Sequence, residues 1–355
     1  MLFNLVFIRR REKQKLDKDE DDTMRGKVTI QEIADQTGLS KYAVSRALSG
    51  KPGVSTQTRE MILKTAGTMG YFKEPVAVFN ELVDLDVRTW SGTILVLFPN
   101  VRHQNRESSY WGPIFEGISA SLSKKKINIL TLTEPQDESM FSLLNPEGIM
   151  GILTIGNVST STLFDIRKLN IPIVMVDHLD PSFNCDTVFT DNFAGMREMM
   201  NAMIHRGYRK FQFIGNIKDA HSYRERWLEF NASLAESGIP QEQLPALLDH
   251  RLDEFYATLE ETFASRELPE VFVCANDFYV NYTIESFERI GIPIDGKVVF
   301  TGFDHVNPPP SCKATISVNE ELLGKRAVDQ LLWRILNPSS SYERKLLRGD
   351  LVLKD

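Results

Sequence analysis

Within GLSKYAVSRALSGKPGVSTQTRE (38–60), Lys41, Tyr42, Ser45 and Arg46 fall inside six residues. An ammonium, a guanidinium and two hydroxyls over so short a span suit an anionic surface rich in hydrogen-bond acceptors. Arginine holds guanine or a phosphate through two parallel bonds, and serine and tyrosine donate to phosphate oxygens. The surrounding charge agrees. Residues 25–73 carry eight Lys or Arg against three Asp or Glu, whereas residues 74–355 sum to −12 and the whole chain to −7. A small basic segment on a large acidic body lets one part approach a polyanion while the other is repelled by it.

A polar helix face is most often merely solvated, so the elements that present it decide the matter. Thr29 is a good N-cap for a helix over Ile30–Gln36, with Glu32 completing a capping box. Gly38 supplies a turn, and Ser40 caps a second helix, Lys41–Leu48, which Gly50, Pro52 and Gly53 end. Ser55 or Thr56 opens a third helix to about Met69, and Gly70 stops it. Ile30, Ile33, Ala34, Leu39, Val44, Ala47, Leu48, Ile62 and Ala66 fit one small shared core. Helix, tight turn and second helix make a helix-turn-helix, whose second helix would enter a DNA major groove.

The remaining pattern is different. The runs TILVLFP (93–99), INILTL (127–132), GILTI (151–155) and IPIVMV (171–176) read as buried parallel strands. A second series, TVFT (187–190), FQFIG (211–215), VFVCA (271–275) and VVFTGF (298–303), follows with helical stretches between. This βαβ alternation, twice over, predicts an α/β fold: a three-helix headpiece plus two doubly wound parallel-sheet lobes. Such sheets bind ligands in the crevice at the carboxyl ends of their strands. A chain of 355 residues, 42% hydrophobic and 25% charged, accommodates these parts.

Several function classes are disfavoured. No run of about 18 apolar residues is present, so no membrane-spanning helix is expected. Cys185, Cys274 and Cys312 are far apart and read as reduced, buried thiols of a cytoplasmic protein. The six histidines are scattered in no metal-binding pattern, and no cofactor motif, nucleophile elbow or P-loop occurs. Residues 1–24, MLFNLVFIRRREKQKLDKDEDDTM, have six charges of each sign and read as a disordered tail or a misassigned start before Met24.

Residues 28–71, VTIQEIADQTGLSKYAVSRALSGKPGVSTQTREMILKTAGTMGY, closely resemble the DNA-binding headpiece of the LacI/GalR family of bacterial regulators, with Ala43 where the family usually has Thr. YWGPIFEGI (110–118), TDNFAGMREMMNAMIHRGYRKFQFIG (190–215), SYRERWLEF (222–230), VFVCANDFYV (271–280) and VVFTGFDHV (298–306) resemble its core segments more weakly. The resemblance implies a periplasmic-binding-protein-like core. It divides the chain into a DNA-binding domain (25–73), a hinge (74–91) and an effector and dimerisation core (92–355). One lobe is expected over about 92–186 and 319–337, the other over about 187–318 and 338–355. Thr29, Ile30, Lys41, Tyr42, Ser45, Arg46 and Ser49 would then lie at DNA. Tyr110, Trp111, Asp191, Arg226, Asn276 and Asp304 would lie at an effector. Competing roles are local: a core pair for Tyr110 and Trp111, a surface position for Arg226, helix caps for Asp191 and Asn276.

The hinge departs from the family pattern. Lys73-Glu74 replaces its Pro-Asn, and Asn80 stands where a leucine would wedge into the minor groove, leaving Leu82 or Val83 as substitutes. Val318 replaces a glutamine that the family often has. The expectation is a homodimeric, non-enzymatic repressor of a double-stranded DNA operator, controlled by a small metabolite, a sugar before a purine-like ligand, without membrane or cofactor. A dimer is favoured over a tetramer because no leucine heptads follow 355. The alternative is a sugar- or nucleobase-binding protein without regulatory DNA binding.

Overall fold

The computed structural model describes residues 28–72, 90–101, 104–134, 141, 144–251, 254–263, 266–294 and 298–354. The expected tail at 1–24 and most of the 74–91 hinge, with Asn80, Leu82 and Val83, lie outside the described residues. Two units are present, one built from the N-terminal helices and one from the α/β core.

The helical unit contains α1 (Ile30–Thr37), α2 (Lys41–Leu48) and α3 (Thr56–Thr68). Thr29 and Glu32 close the capping box in both directions, the Thr29 N–H donating to the carboxylate at 2.7 Å. Gly38 ends α1 at φ 69°, a left-handed conformation that favours glycine, and lets Leu39 N–H return to the Ala34 carbonyl at 3.1 Å. Ser40 and Ser55 cap the next two helices. Ile33, Ala34, Val44, Ala47, Ile62 and Ala66 form the buried core, flanked by Ile30, Leu39 and Leu48. Arg59 on α3 donates to the Ala47 and Lys51 carbonyls, fastening α3 to the end of α2.

The core holds two sheets. Its elements in chain order are β1 (Thr93–Phe98), α4 (Trp111–Lys124), β2 (Asn128–Thr133), β3 (Ile149–Ile155), α5 (Thr160–Arg167), β4 (Ile173–Val176), β5 (Asp186–Thr190), α6 (Asn192–His205), β6 (Phe211–Ile214), α7 (His221–Glu236), α8 (Phe255–Phe263), β7 (Val271–Cys274), α9 (Asp277–Arg289), β8 (Val299–Thr301), β9 (Cys312–Ser317), α10 (Glu320–Leu336), β10 (Arg344–Leu347) and β11 (Asp350–Leu353). The first sheet runs β10-β5-β4-β3-β1-β2, all parallel. The second runs β11-β9-β8-β7-β6, parallel except for β11 against β9.

Two boundaries differ from the sequence expectation. Residues 187–190, assigned to the second lobe, pair with β4 in the first sheet, Val174 opposite Asp186 and Val176 opposite Val188. Residues 344–347, likewise assigned to the second lobe, join the first sheet beside β5; only β11 returns to the second. Local apolarity marks a strand but not its partner, because pairing is decided by hydrogen bonds far away in sequence. β2 also proves to be an edge strand, mostly exposed along its length. Cys274 and Cys312 are buried free thiols, whereas Cys185 is only half-buried.

Helices α4 and α10 pack with their backbones touching: a β-carbon on Gly117 would overlap the Glu321 carbonyl, and one on Gly324 the Ile114 carbonyl. This crossing fixes where α4 begins, and α4 begins at the site described below. At its other end α10 is anchored by Arg334, which clasps Asp186 at 2.5 and 2.8 Å and donates to the Ser340 and Ser341 carbonyls. Both side chains are buried. Among the described residues no helix is long and apolar enough to cross a membrane.

Arg334→Ala leaves Asp186 charged and unpaired in the core. Breaking such a buried pair costs about 3–5 kcal/mol, so the urea midpoint of the core should fall sharply. A loss under about 1 kcal/mol would mean that the ion pair is dispensable.

Candidate functional site

In the helical unit Lys41, Tyr42 and Ser45 are exposed on α2, Tyr42 to 69%. An aromatic side chain this exposed gains nothing from the core and is available to a partner. Arg46 is more constrained. Its Nε donates to the Pro52 carbonyl at 2.7 Å, and its Nη1 to the Tyr42 hydroxyl at 2.7 Å, with the guanidinium 5.3 Å from the Tyr42 ring centre. Arg46 therefore orients Tyr42 and closes the loop after α2. The Thr29 hydroxyl is committed to the capping box, Ile30 is half-buried, and Ser49 returns its hydroxyl to the Ser45 carbonyl at 2.8 Å. Thus Lys41, Ser45 and the Arg46-held Tyr42 are presented to solvent, while Thr29, Arg46 and Ser49 also hold the fold.

In the core, a cavity of about 960 Å³ opens where the strands of both sheets end. Tyr110, Trp111, Arg226, Asn276 and Asp304 all line it. Tyr110 and Trp111 sit at the start of α4 as a T-shaped pair, ring centres 4.9 Å apart. Across the cavity, Arg226 on α7 is almost fully buried. Its Nε donates to Asn192 Oδ1 at 2.9 Å, its Nη1 to the Ala275 carbonyl at 2.7 Å, and its Nη2 to Asp304 Oδ1 at 3.0 Å. Asn276 both caps α9, accepting from Tyr279 N–H at 3.2 Å, and donates to the Tyr223 hydroxyl at 3.0 Å.

Asp191 stands apart from this group. Its carboxylate caps α6, accepting from Ala194 N–H at 3.0 Å, and it does not line the cavity. Its neighbour Asn192, not anticipated from sequence, makes the contact to Arg226. Also unanticipated are Asp177 and His178 after β4, Tyr223 on α7 and Phe189 at the end of β5. An aspartate directly after the run IPIVMV was a usable signal, since strand ends face such cavities. Tyr223 precedes Arg226 by three positions and so shares its helix face.

The cavity carries backbone strain and unusual acidity. Asp177 and Asp304 both adopt left-handed backbone, at φ 51° and 86°, with His305 and Asn307 following suit. Such conformations in non-glycine residues concentrate at functional sites. Tyr110 donates its hydroxyl to Asp177 Oδ2 at 2.9 Å. Burial, reinforced by the nearby Asp304 carboxylate, nonetheless raises Asp177 to about 7. Asp277 is raised to about 7 for the same two reasons, although Thr315 and the Val306 N–H hold its carboxylate. Among the described residues no cluster of His, Cys, Asp and Glu suits a metal ion.

The fold and site define a class: a helix-turn-helix domain joined in sequence to a two-lobed α/β core with a polar, aromatic-walled cavity. Residues 29–74 match the model of bacterial regulatory proteins of the lacI family. The ribose operon repressor of Haemophilus influenzae is 23% identical over 346 residues, covering 92% of this chain and 98% of that protein. A transcriptional regulator CelR–cellobiose complex has the same fold, with a TM-score of 0.65 at 19% identity over 92% of this chain and 98% of the other. The lac repressor dimer bound to operator and the anti-inducer ONPF gives 0.60 at 17% identity, with the same coverages. Residues 29–74 thus carry a lacI-type DNA-binding domain, and the chain is similar over most of its length to LacI-family repressors.

The Asp177 shift has a definite sign. An unfolded aspartate titrates near 3.9, so between about pH 4 and 7 the folded protein holds a proton that the unfolded chain has lost. Its contribution is complete below pH 4 and disappears as pH rises through 7. Asp177→Asn removes the cost of the ionised form while still accepting from Tyr110. Part of that cost is already screened where the carboxylate meets the open cavity. The variant should therefore be more stable than wild type by on the order of 2 kcal/mol at pH 8, with the gain vanishing near pH 4. Parallel unfolding curves at the two pH values check this; an equal gain at both would rule out titration as its origin.

Proposed function

We propose that this regulator is a homodimeric, cytoplasmic repressor whose operator affinity is set by a sugar bound in the core cavity. The observation that carries the effector reading is the pairing of two walls in one cavity. Tyr110 and Trp111 offer ring faces on one side, and Arg226, Asp304 and Asn276 offer hydrogen bonds on the other. Aromatic rings cover the apolar C–H face of a sugar while charged and amide groups take its hydroxyls. The relatives agree: one is a ribose operon repressor, one was solved with cellobiose, and one is a dimer on operator. The protein acts by binding and not by turnover, so its effector should be recovered unchanged after prolonged incubation.

A ligand alters DNA affinity only through unequal affinity for two conformations. Because the walls come from opposite lobes, a bound sugar favours the lobe arrangement in which both walls reach it. A thermal-shift screen of ribose, cellobiose, other sugars and nucleobases identifies the effector. Arg226→Ala or Asp304→Ala should then raise its dissociation constant about tenfold or more, the worth of a charged hydrogen bond. Trp111→Ala should weaken it through lost stacking. Unchanged midpoints in all three variants would place the effector elsewhere, and nucleobase hits alone would replace the sugar assignment.

For DNA, selection from random duplexes should yield two inverted half-sites about one helical turn apart, bound with strong salt dependence. Arg46→Ala should cost about 1–3 kcal/mol of affinity or relax one base position. Tyr42→Ala should lower selectivity while changing stability by under about 0.5 kcal/mol, since the ring is exposed. A salt-insensitive protein that enriches no sequence would sink this reading.

A further inference from the structure

Glu225 is the neighbour of Arg226 on α7, yet it points into protein and is only 3% exposed. Three groups donate to it: Asn192 Nδ2 at 2.9 Å, His221 Nε2 at 3.3 Å and Arg344 Nη2. Burial alone would raise its pKa, but these donors outweigh burial and hold Glu225 below the usual carboxylate range. Asn192 is the first residue of α6, immediately after the chain leaves the first sheet. Its amide is used on both sides. Nδ2 donates to Glu225 and to the Thr190 carbonyl, while Oδ1 accepts from Arg226 Nε. Turned over, the amide would set its N–H₂ against the guanidinium and its oxygen against the carboxylate. Glu225 and Arg226 thus impose a single orientation on it.

Arg344 continues the series on the other side. It opens β10, lies 5.3 Å from the Phe189 ring centre and pairs in register with Thr187. The result is a continuous series of contacts, Arg344–Glu225–Asn192–Arg226–Asp304, from the edge of the first sheet to the cavity. We propose that Glu225 and Arg344 are positioning residues for Arg226, acting through the fixed amide of Asn192, and that they tie the guanidinium to the β5–β10 edge where the chain crosses between lobes. This rests on the reading of the cavity as the effector site. A molecule that draws Arg226 away from Asp304 then pulls on the same amide that Glu225 and Arg344 hold.

The test needs neither DNA nor effector, so its failure leaves those assignments standing. The Arg226 Nε–H, assigned by its loss in Arg226→Lys, reports the Asn192 bond through its rate of hydrogen exchange with water. Glu225→Gln and Arg344→Gln should each accelerate that exchange about tenfold, equivalent to about one charge-assisted hydrogen bond. Arg344→Lys, which keeps the positive charge, should restore most of the protection. Glu229→Gln, a similarly buried carboxylate on α7 that pairs with Arg197 instead, should leave the rate alone. Arg344 is partly exposed, so its variants keep the test usable if Glu225→Gln fails to fold. Acceleration within about threefold in Arg344→Gln, or equal acceleration in Glu229→Gln, would overturn the proposal, because both outcomes reduce Glu225 and Arg344 to ordinary packing.

Discussion

The core is organised around one buried guanidinium. Arg226 cannot lose its charge, and a charge taken out of water requires partners on every side. It finds them in an amide, a backbone carbonyl and a carboxylate contributed by α6, the end of β7 and the end of β8. The Phe303 ring lies 3.6 Å beneath its central carbon, covering the face that has no hydrogen bond. Three separate strand ends must converge for this to work. The left-handed backbone at Asp304 is part of the same demand, since it turns the chain directly after β8 and leaves the carboxylate facing the guanidinium.

The opposite wall is assembled by packing. Two glycines let α4 and α10 touch backbone to backbone, and the start of α4 delivers Tyr110 and Trp111 to the cavity. Arg334 and Asp186 fasten the far end of α10 to the beginning of β5. The cavity therefore lies between a polar wall held by directional bonds and an aromatic wall held by helix contact. Tyr110 joins the two kinds of constraint, with its ring in the aromatic pair and its hydroxyl on Asp177. Asp177, Asp277 and Asp304 share this space with the Arg226 guanidinium, and burial, reinforced by the Asp304 carboxylate, raises Asp177 and Asp277 to about 7.

The helical unit obeys a different balance. Its core is very small, and surface arginines serve the fold. Arg59 and Arg46 both satisfy carbonyls around the end of α2. That leaves the exposed Tyr42, oriented by Arg46, as the most prominent group on the helix that presents the polar face.

The sequence by itself determined whatever depends on near neighbours. Thr29 with Glu32, Gly38, and Ser40 define the headpiece helices almost to the residue, because caps and left-handed turns are local chemistry. Apolar runs located most of the strands, and motif resemblance located Tyr110, Trp111, Arg226, Asn276 and Asp304, which the fold then gathers around one cavity. β9 went unmarked, since CKATIS interrupts apolarity with Lys and Thr. Only the tertiary structure decided the rest. Asp191 and Asn192 are adjacent, yet one caps a helix and the other meets Arg226, a distinction set by which way the helix starts. β5 and β10 joined the first sheet because their hydrogen bonds go to residues far away in the chain, and a sheet's membership is written in those pairings and not in the strand itself.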